Sequence, residues 1–398
     1  MPNKKHNWSR RDFLRVACAA GLGSIVVPMN RLAESSNESA SMPTRPFGGT
    51  GVRVPILGFG GSLDLDQLML RQAAKWGVTY WDTASSYMGG NSENRIGKYL
   101  DEYPEDRKKL FIVTKSHAWT VSGLTRDLNK SLERMKTDYV DLFFIHSVRS
   151  IDELDGNRKA WSERTKAGAK IKFFGFSTHS NMAESMLGAA KLGWIDSIMM
   201  SYNFRLMHSD GMKKAVDACA RAGIGLTAMK SQGGGSVSTS SETELELAGR
   251  FLNKGFTSAQ AKLKAIWENP NIASICVEMP NITILMSNVA AAMNRTGLSS
   301  HDKKLLHRYA LETRANYCAG CTALCESATE GMVPIGDVMR SFMYSRSYGD
   351  HARAAQLFNQ IPRRVRGEMD SLDYTTAEQR CPQKMPIGKL MRQAVTQL

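Results

Sequence analysis

Long apolar runs are missing from this sequence. The most apolar stretch near its start, Val16 to Val27, is too short to span a bilayer comfortably, and no other stretch could cross one. A G-x-G-x-x-G fingerprint is missing as well. The first strand-like segment runs into "GFGGSLDLDQ", whose glycines lack that spacing, which argues against a doubly wound dinucleotide-binding sheet. Acidic residues are few beside basic ones, 38 against 52, so the formal net charge is +14. The basic residues are scattered along helix-like segments, however, and the densest cluster after the N-terminus is Arg363-Arg364-Val365-Arg366. No basic stripe interleaved with aromatics accompanies them, so the charge reads as a solvated face and no nucleic-acid partner is expected.

What is present begins with a targeting pattern. "SRRDFLRVACAAGLGSIVVP" sets Arg10-Arg11 and Phe13-Leu14 ahead of the short apolar stretch, the layout of a signal peptide. The paired arginines resemble a twin-arginine signal, which directs export of proteins already folded. Residues 1–33 are therefore expected to address the chain to the periplasm, with the twin-arginine export machinery as a partner. No clean small-x-small cleavage site follows, so an uncleaved anchor is the alternative. A Ser/Glu/Asn-rich linker fills residues 34–46.

Beyond the linker, strand-like and helix-like segments alternate. "VPILGFG", "TYWDT", "LFIVTK", "VDLFFIHS", "KIKFFGFS", "SIMMSYN", "IGLTAMKS" and "IASICVEM" read as strands, each followed by a helical stretch. Eight β/α units over residues 47–297 predict an α/β fold, a (β/α)8 TIM barrel with a parallel sheet. The remaining 298–398 form a cysteine-rich, mainly helical appendage.

In such a barrel the chemistry lies where strands end and βα loops begin. Four polar residues stand there in order: Asp82 after the second strand, Tyr87 in the same loop, Lys115 ending the third, and His146 ending the fourth. Asp82 would fix and neutralise Lys115. The ammonium would lower the pKa of Tyr87 and poise it as a proton donor, while His146 orients a substrate carbonyl. A strand-end lysine or histidine alone is usually solvated or structural; four such residues on three successive strand ends point to a site.

These residues carry a resemblance. "YWDTASSY…SENRIG", "IVTK", "DLFFIH", "AKIKFFGFSTHS" and "SYN" resemble an aldo-keto reductase over most of residues 47–294. The resemblance implies a catalytic tetrad of Asp82, Tyr87, Lys115 and His146, with hydride passing between NADP(H) and a carbonyl or alcohol. It implies that Ser177 and Thr178 hold the nicotinamide amide and that Tyr202 stacks on its ring. Lys230 and Gly233, in "KSQGGG", fall in the phosphate-contacting loop, and Asn288 matches an adenine contact. Three departures stand out. Met199 replaces a common glutamine, Glu278 replaces a glycine near the cofactor phosphates, and "MPNITILMSN" offers no Lys or Arg for a ribose 2′-phosphate. His117, Trp119 and Phe204 suggest an aromatic-lined pocket.

Of seven cysteines, Cys18 lies in the signal and Cys219 and Cys276 in barrel elements. "YCAGCTALC" gives Cys318, Cys321 and Cys325 in a C-x2-C-x3-C array, and Cys381 precedes Pro382. Closely spaced thiolates with a Cys-Pro are ferredoxin-like, and some aldo-keto reductases resemble this chain in carrying a C-terminal iron–sulfur region. A [4Fe–4S] cluster on these four is the expectation, with an electron-transfer partner; disulfides and zinc are the alternatives. Two functions compete. One is an exported oxidoreductase; the other is a barrel without cofactor exchange that binds a ligand or partner.

Overall fold

The computed structural model describes residues 41–234, 242–255 and 257–398; the expected signal peptide, most of the linker and Gly235 lie outside the described residues. Two short antiparallel strands, β1 (Thr44–Pro46) and β2 (Arg53–Pro55), lead in. Gly48, at φ +56, passes so near the turn before the seventh barrel strand that a Cβ would lie 2.3 Å from the Gly223 carbonyl oxygen. Gly49 N donates to that same oxygen at 2.7 Å. The turn thereby plugs the N-terminal end of the barrel with Phe47, wholly buried edge-on against Tyr80 and Phe111.

Eight parallel strands follow and close: β3 (Leu57–Gly60), β4 (Tyr80–Asp82), β5 (Phe111–Ser116), β6 (Val140–Ile145), β7 (Ile171–Thr178), β8 (Ser197–Ser201), β9 (Gly225–Met229) and β10 (Ile272–Glu278), with β10 pairing back onto β3. The expected (β/α)8 barrel is present. Outside run α1 (Gln67–Lys75), α2 (Asn91–Glu102), α3 (Val121–Met135), α4 (Gly156–Ala167), α5 (Met182–Leu192) and α6 (Asp210–Arg221). Two helices, α7 (Glu242–Asn253) and α8 (Ser258–Trp267), follow β9, and α9 (Ile282–Met293) follows β10. Helix α7 is an addition to the eight expected units. Helix α3 shows the local logic. Thr120 caps its first turn by accepting from Gly123 N, and Leu124, Leu128, Leu132 and Met135, three or four apart, are its buried face. Lys136, at φ +50, then ends it.

Strand alternation decides what reaches the barrel mouth. Tyr80, Phe111, Val113, Leu142 and Phe144 fill the barrel interior, while Trp81, Ile112, Phe143 and Ile145 pack outward against helices. Continuing each inward column by two residues gives Asp82, Lys115 and His146.

Past the barrel, α10 (Ser300–Glu312) packs Leu305, Leu306 and Tyr309 against Phe204 and Phe251. The rest of the chain is helical: α11 (Thr322–Glu326), α12 (Ile335–Phe342), a π turn (Met343–Ser347), α13 (His351–Asn359), α14 (Arg363–Glu368), α15 (Thr375–Arg380) and α16 (Ile387–Gln397). These helices share a core of their own around Val338, Met339, Phe342 and Met391, to which Cys325 and Cys381 belong. No helix among the described residues is long and apolar enough to cross a membrane.

Candidate active site

A large cavity opens at the C-terminal ends of the strands, and Asp82, Tyr87, Lys115 and His146 all line it. Lys115 Nζ donates to Asp82 Oδ2 at 2.7 Å, to the Thr83 carbonyl at 2.7 Å and to Tyr87 Oη at 3.4 Å. The pair is buried, with 1% and 5% of the two side chains exposed. Burial opposes the Lys115 charge, but Asp82 beside it holds the ammonium above its ordinary pKa, so the lysine stays charged.

Tyr87 corrects one expectation. Lys115 does pull its pKa down, yet burial outweighs the ammonium and pushes the phenol up to about 12. Tyr87 is thus a proton held in reserve at neutral pH rather than a partly ionised phenol. Its ring meets His146 edge-on at 5.6 Å, and His146 in turn stacks on His117 at 3.9 Å. Burial, then the neighbouring His117 and Lys115, keeps His146 well below its ordinary pKa, so it is a neutral hydrogen-bonding imidazole.

The loop bearing Tyr87 is clamped from below. Arg134 of α3 donates to the Ser85 carbonyl at 3.0 Å and to buried Glu93 at 2.9 Å, and Glu93 also accepts from Thr114 at 2.6 Å. Gly90, at φ +96, lies so close to the Arg134 guanidinium that a Cβ would come within 2.2 Å of it. The sequence reading missed this Arg134–Glu93 pair; the buried-looking Glu93 at the start of α2 was the signal available.

The residues expected to hold a cofactor divide. Ser177, Lys230 and Asn288 line the cavity. Thr178 does not: it follows the inward Ser177, so alternation turns it away, and its hydroxyl donates to the Ser180 carbonyl at 2.8 Å. Tyr202 is likewise displaced. Met199 and Ser201 point inward on β8, which sends Tyr202 outward into the helix-facing core, where it accepts from Asn269 at 2.9 Å. Met199 and Met229 line the cavity instead. Gly233, at φ +62, shapes the loop from behind, its carbonyl accepting from Arg205 at 2.8 Å. Of the expected aromatic lining, His117 is present, Trp119 is 71% exposed to solvent, and Phe204 is buried against Tyr309.

The aromatic wall comes instead from the C-terminal helices, which bring Tyr344, Tyr348, Arg340 and Arg353 to the same cavity. Arg353 pairs with Glu278 at 3.0 Å, and Ser62 also donates to that carboxylate. Burial would raise the Glu278 pKa, but Arg353 holds it below the usual carboxylate value. The acid expected to repel cofactor phosphates is therefore already neutralised by a residue from outside the barrel.

Cys318, Cys321, Cys325 and Cys381 line one narrow apolar cavity with Ile335, Met339 and Met385, and all are free thiols. Among the described residues no three His, Cys, Asp or Glu side chains converge as a single-ion site. The loop carrying Cys318 and Cys321 rests on the barrel mouth: Asn181 N donates to the Gly320 carbonyl at 2.7 Å, and a Cβ on Gly320 would lie 2.1 Å from the His179 carbonyl.

The sequence profile of the Aldo/keto reductase family matches residues 62–315. The chain is 27% identical over 247 residues to an aldo-keto reductase of Fusarium vanettenii, covering 49% of this chain and 66% of that protein. It is 22% identical over 292 residues to the L-galactose dehydrogenase of Arabidopsis thaliana, covering 66% and 91%. Against the L-glyceraldehyde 3-phosphate reductase of Escherichia coli it is 29% identical over 160 residues, covering 35% and 46%, so the chain spans less than half of that relative. A thermostable aldo-keto reductase solved with the inhibitor epalrestat superposes with a TM-score of 0.56 at 25% identity, over 67% of this chain and 99% of the other. An aldo-keto reductase from Klebsiella pneumoniae solved with NADPH shares the fold at TM-score 0.57 and 20% identity, over 67% and 95%.

Proposed function

Since the chain belongs to the aldo/keto reductase family, we propose that it is an exported oxidoreductase that reduces a small carbonyl compound, or oxidises the alcohol, with NADP(H). The observation that carries this reading is the contact of Lys115 Nζ with both Asp82 and Tyr87 beside a neutral His146. A bound nicotinamide supplies or accepts hydride; the chain's own groups manage the proton and the oxygen. His146 holds the carbonyl oxygen, Tyr87 gives it a proton, and the Lys115 charge stabilises the phenolate left behind, itself steadied by Asp82. The cavity's extension from Tyr87 past Ser177 and Lys230 to Asn288 supports a dinucleotide lying along it. The NADPH complex of the Klebsiella protein adds the cofactor by analogy.

The four C-terminal cysteines are assigned to a [4Fe–4S] cluster in the same reading. A cubane takes one thiolate on each iron, so its donors surround a space rather than meet at one point, and four free thiols lining one apolar cavity suit that requirement. The twin-arginine pattern at Arg10-Arg11 supports export of the folded, cofactor-loaded chain to the periplasm. The deciding experiment incubates purified protein with NADPH and a panel of aldehydes and ketones while following NADPH absorbance. Substrate-dependent oxidation is expected; none with any carbonyl would reject the reading. Iron and acid-labile sulfide analysis of anaerobically purified protein tests the cluster separately.

A further inference from the structure

The C-terminal helices touch the barrel mouth at several loops, among them that of Lys230, whose ammonium donates to the Tyr344 hydroxyl. One such contact is made by the cysteine loop itself. Asn181, just past β7, holds that loop by two bonds: its N donates to the Gly320 carbonyl at 2.7 Å and its Oδ1 accepts from Ala323 N at 2.9 Å. Its Nδ2 donates the other way, to the Arg149 carbonyl at 3.3 Å. Arg149 in turn pairs with Glu326, next to Cys325, at 3.0 Å and with Asp337 of α12 at 2.9 Å. Asn181 makes its bonds at φ +46, a left-handed backbone that asparagine tolerates better than most residues.

Both residues lead back to the reacting groups. Arg149 follows His146 by three residues, and the segment between them is tied to β7. Ser147 N donates to Ser177 Oγ at 3.0 Å and Val148 N to the Ser177 carbonyl at 2.9 Å. His146 and Ser177 both line the catalytic cavity. The stretch from Gly320 to Glu326 is thus bonded to the loop that carries the imidazole and, through that loop, to the strand end that faces the cofactor path.

We propose that Arg149 and Asn181 are positioning residues through which a filled cysteine array holds His146 and Ser177 in place, so that NADP(H) affinity depends on whether the array is filled. This rests on the cluster and NADP(H) readings above. The physical reason is preorganisation. Helix α11 has five residues, too few to be stable alone; it carries Cys325 and follows Cys321. A group bound to Cys318, Cys321, Cys325 and Cys381 ties this segment to the helical core, so that Gly320, Ala323 and Glu326 meet the barrel with little left to order. Without that tie the same bonds must be made by a freer segment, at a cost in conformational entropy.

The test is a binding cycle. NADPH is titrated calorimetrically into anaerobically purified protein, and into the same protein stripped of iron by a chelator, for wild type, Arg149→Gln and Asn181→Gly. Glycine suits the left-handed backbone at 181 and keeps the bond to Gly320. In Arg149→Gln, Glu326 and Asp337 retain Gly336 N and Arg340 as partners, so the fold survives. Stripping should weaken NADPH binding to wild type by at least about fivefold. The two loaded variants should keep their iron yet bind about as weakly as stripped wild type, and stripping them should change little. Arg149→Lys, which keeps the charge, should restore part of the difference. Equal dissociation constants for loaded and stripped wild type overturn the proposal and leave the cluster and cofactor readings standing. So do losses in the variants that add to the loss on stripping, which would mean a direct or general effect on binding. Protein that carries no iron and sulfide, or that binds no NADPH when loaded, overturns the corresponding reading and the proposal with it.

Discussion

Lys115 Nζ stands 2.7 Å from Asp82 Oδ2 and 3.4 Å from Tyr87 Oη, so one buried ammonium joins the carboxylate of β4 to the phenol of the loop beyond it. Removing the ammonium strands the carboxylate. Lys115→Met should therefore cost about 3–5 kcal/mol of stability at neutral pH, the usual consequence of breaking a buried pair from one side. The sign of its pH dependence follows. Without Lys115, burial raises the folded pKa of Asp82 above its unfolded value, so the penalty is present at neutral pH and shrinks as pH falls and the carboxyl takes a proton. Urea unfolding at neutral pH and near pH 4 checks this; a penalty that grows on acidification would show that Asp82 is charged for some other reason.

Tyr87→Phe should leave stability nearly unchanged, because its hydroxyl receives only the long 3.4 Å bond from Lys115. Carbonyl reduction should fall by far more than tenfold in kcat, since phenylalanine has no proton to give to the oxygen. Retention of over about a tenth of wild-type kcat, a barrier change below about 1.4 kcal/mol, would remove Tyr87 from the acid role.

How far the sequence could be read depended on whether a property was local. Alternating apolar strands and intervening helices made the barrel legible, and so did the polar residue at each strand exit, because period-two alternation carries Tyr80 to Asp82, Val113 to Lys115 and Phe144 to His146. The same rule would have corrected two assignments: Thr178 and Tyr202 each sit one residue past an inward position. What no local pattern showed was the approach of the C-terminal helices. Arg353 and Glu278 are 75 positions apart, and Lys230 and Tyr344 are 114 apart, so nothing in either neighbourhood announces the other. The shift of Tyr87 was misjudged for a related reason. Its charged neighbour is visible in the sequence; the burial that outweighs it comes from the assembled mouth.

Tyr202 gives a test of alternation against resemblance. Tyr202→Phe removes only the hydroxyl that accepts from Asn269 on the helix side of β8. Stability should drop by about 1 kcal/mol, the typical loss for one such bond. Because the residue is turned away from the cavity, more drastic Tyr202→Leu should also leave the dissociation constant of NADPH unchanged while destabilising the core. Weaker NADPH binding by several-fold in a folded Tyr202→Leu protein would show that the tyrosine reaches the cofactor.

The Glu278–Arg353 pair governs how the cavity treats an anionic ligand. Glu278 is 41% exposed on its side chain, ends β10 at the mouth, and takes up the charge of an arginine that otherwise faces the same space. Glu278→Gln does two things at once. It removes a negative charge near the path of a dinucleotide's phosphates and frees the Arg353 guanidinium to meet them. Two unit charges about 5 Å apart at an effective dielectric near 20 interact by roughly 3 kcal/mol. Solvent at the half-exposed carboxylate reduces that figure, so about a tenfold tightening of NADPH binding is the expected size. Raising the salt concentration should shrink the difference, since screening acts on the charges and not on the shape of the site. Acid cannot stand in for the substitution near neutrality. Arg353 holds the Glu278 carboxyl below its ordinary value of 4.5, so the pair's contribution is in place above that pH and is lost only as pH falls through the lowered value. Fluorescence titration of cofactor-free protein with NADPH, at neutral pH and two salt concentrations, measures the effect. Equal dissociation constants for wild type and Glu278→Gln would mean that the phosphates pass elsewhere and that the pair serves only to fasten α13 to the barrel.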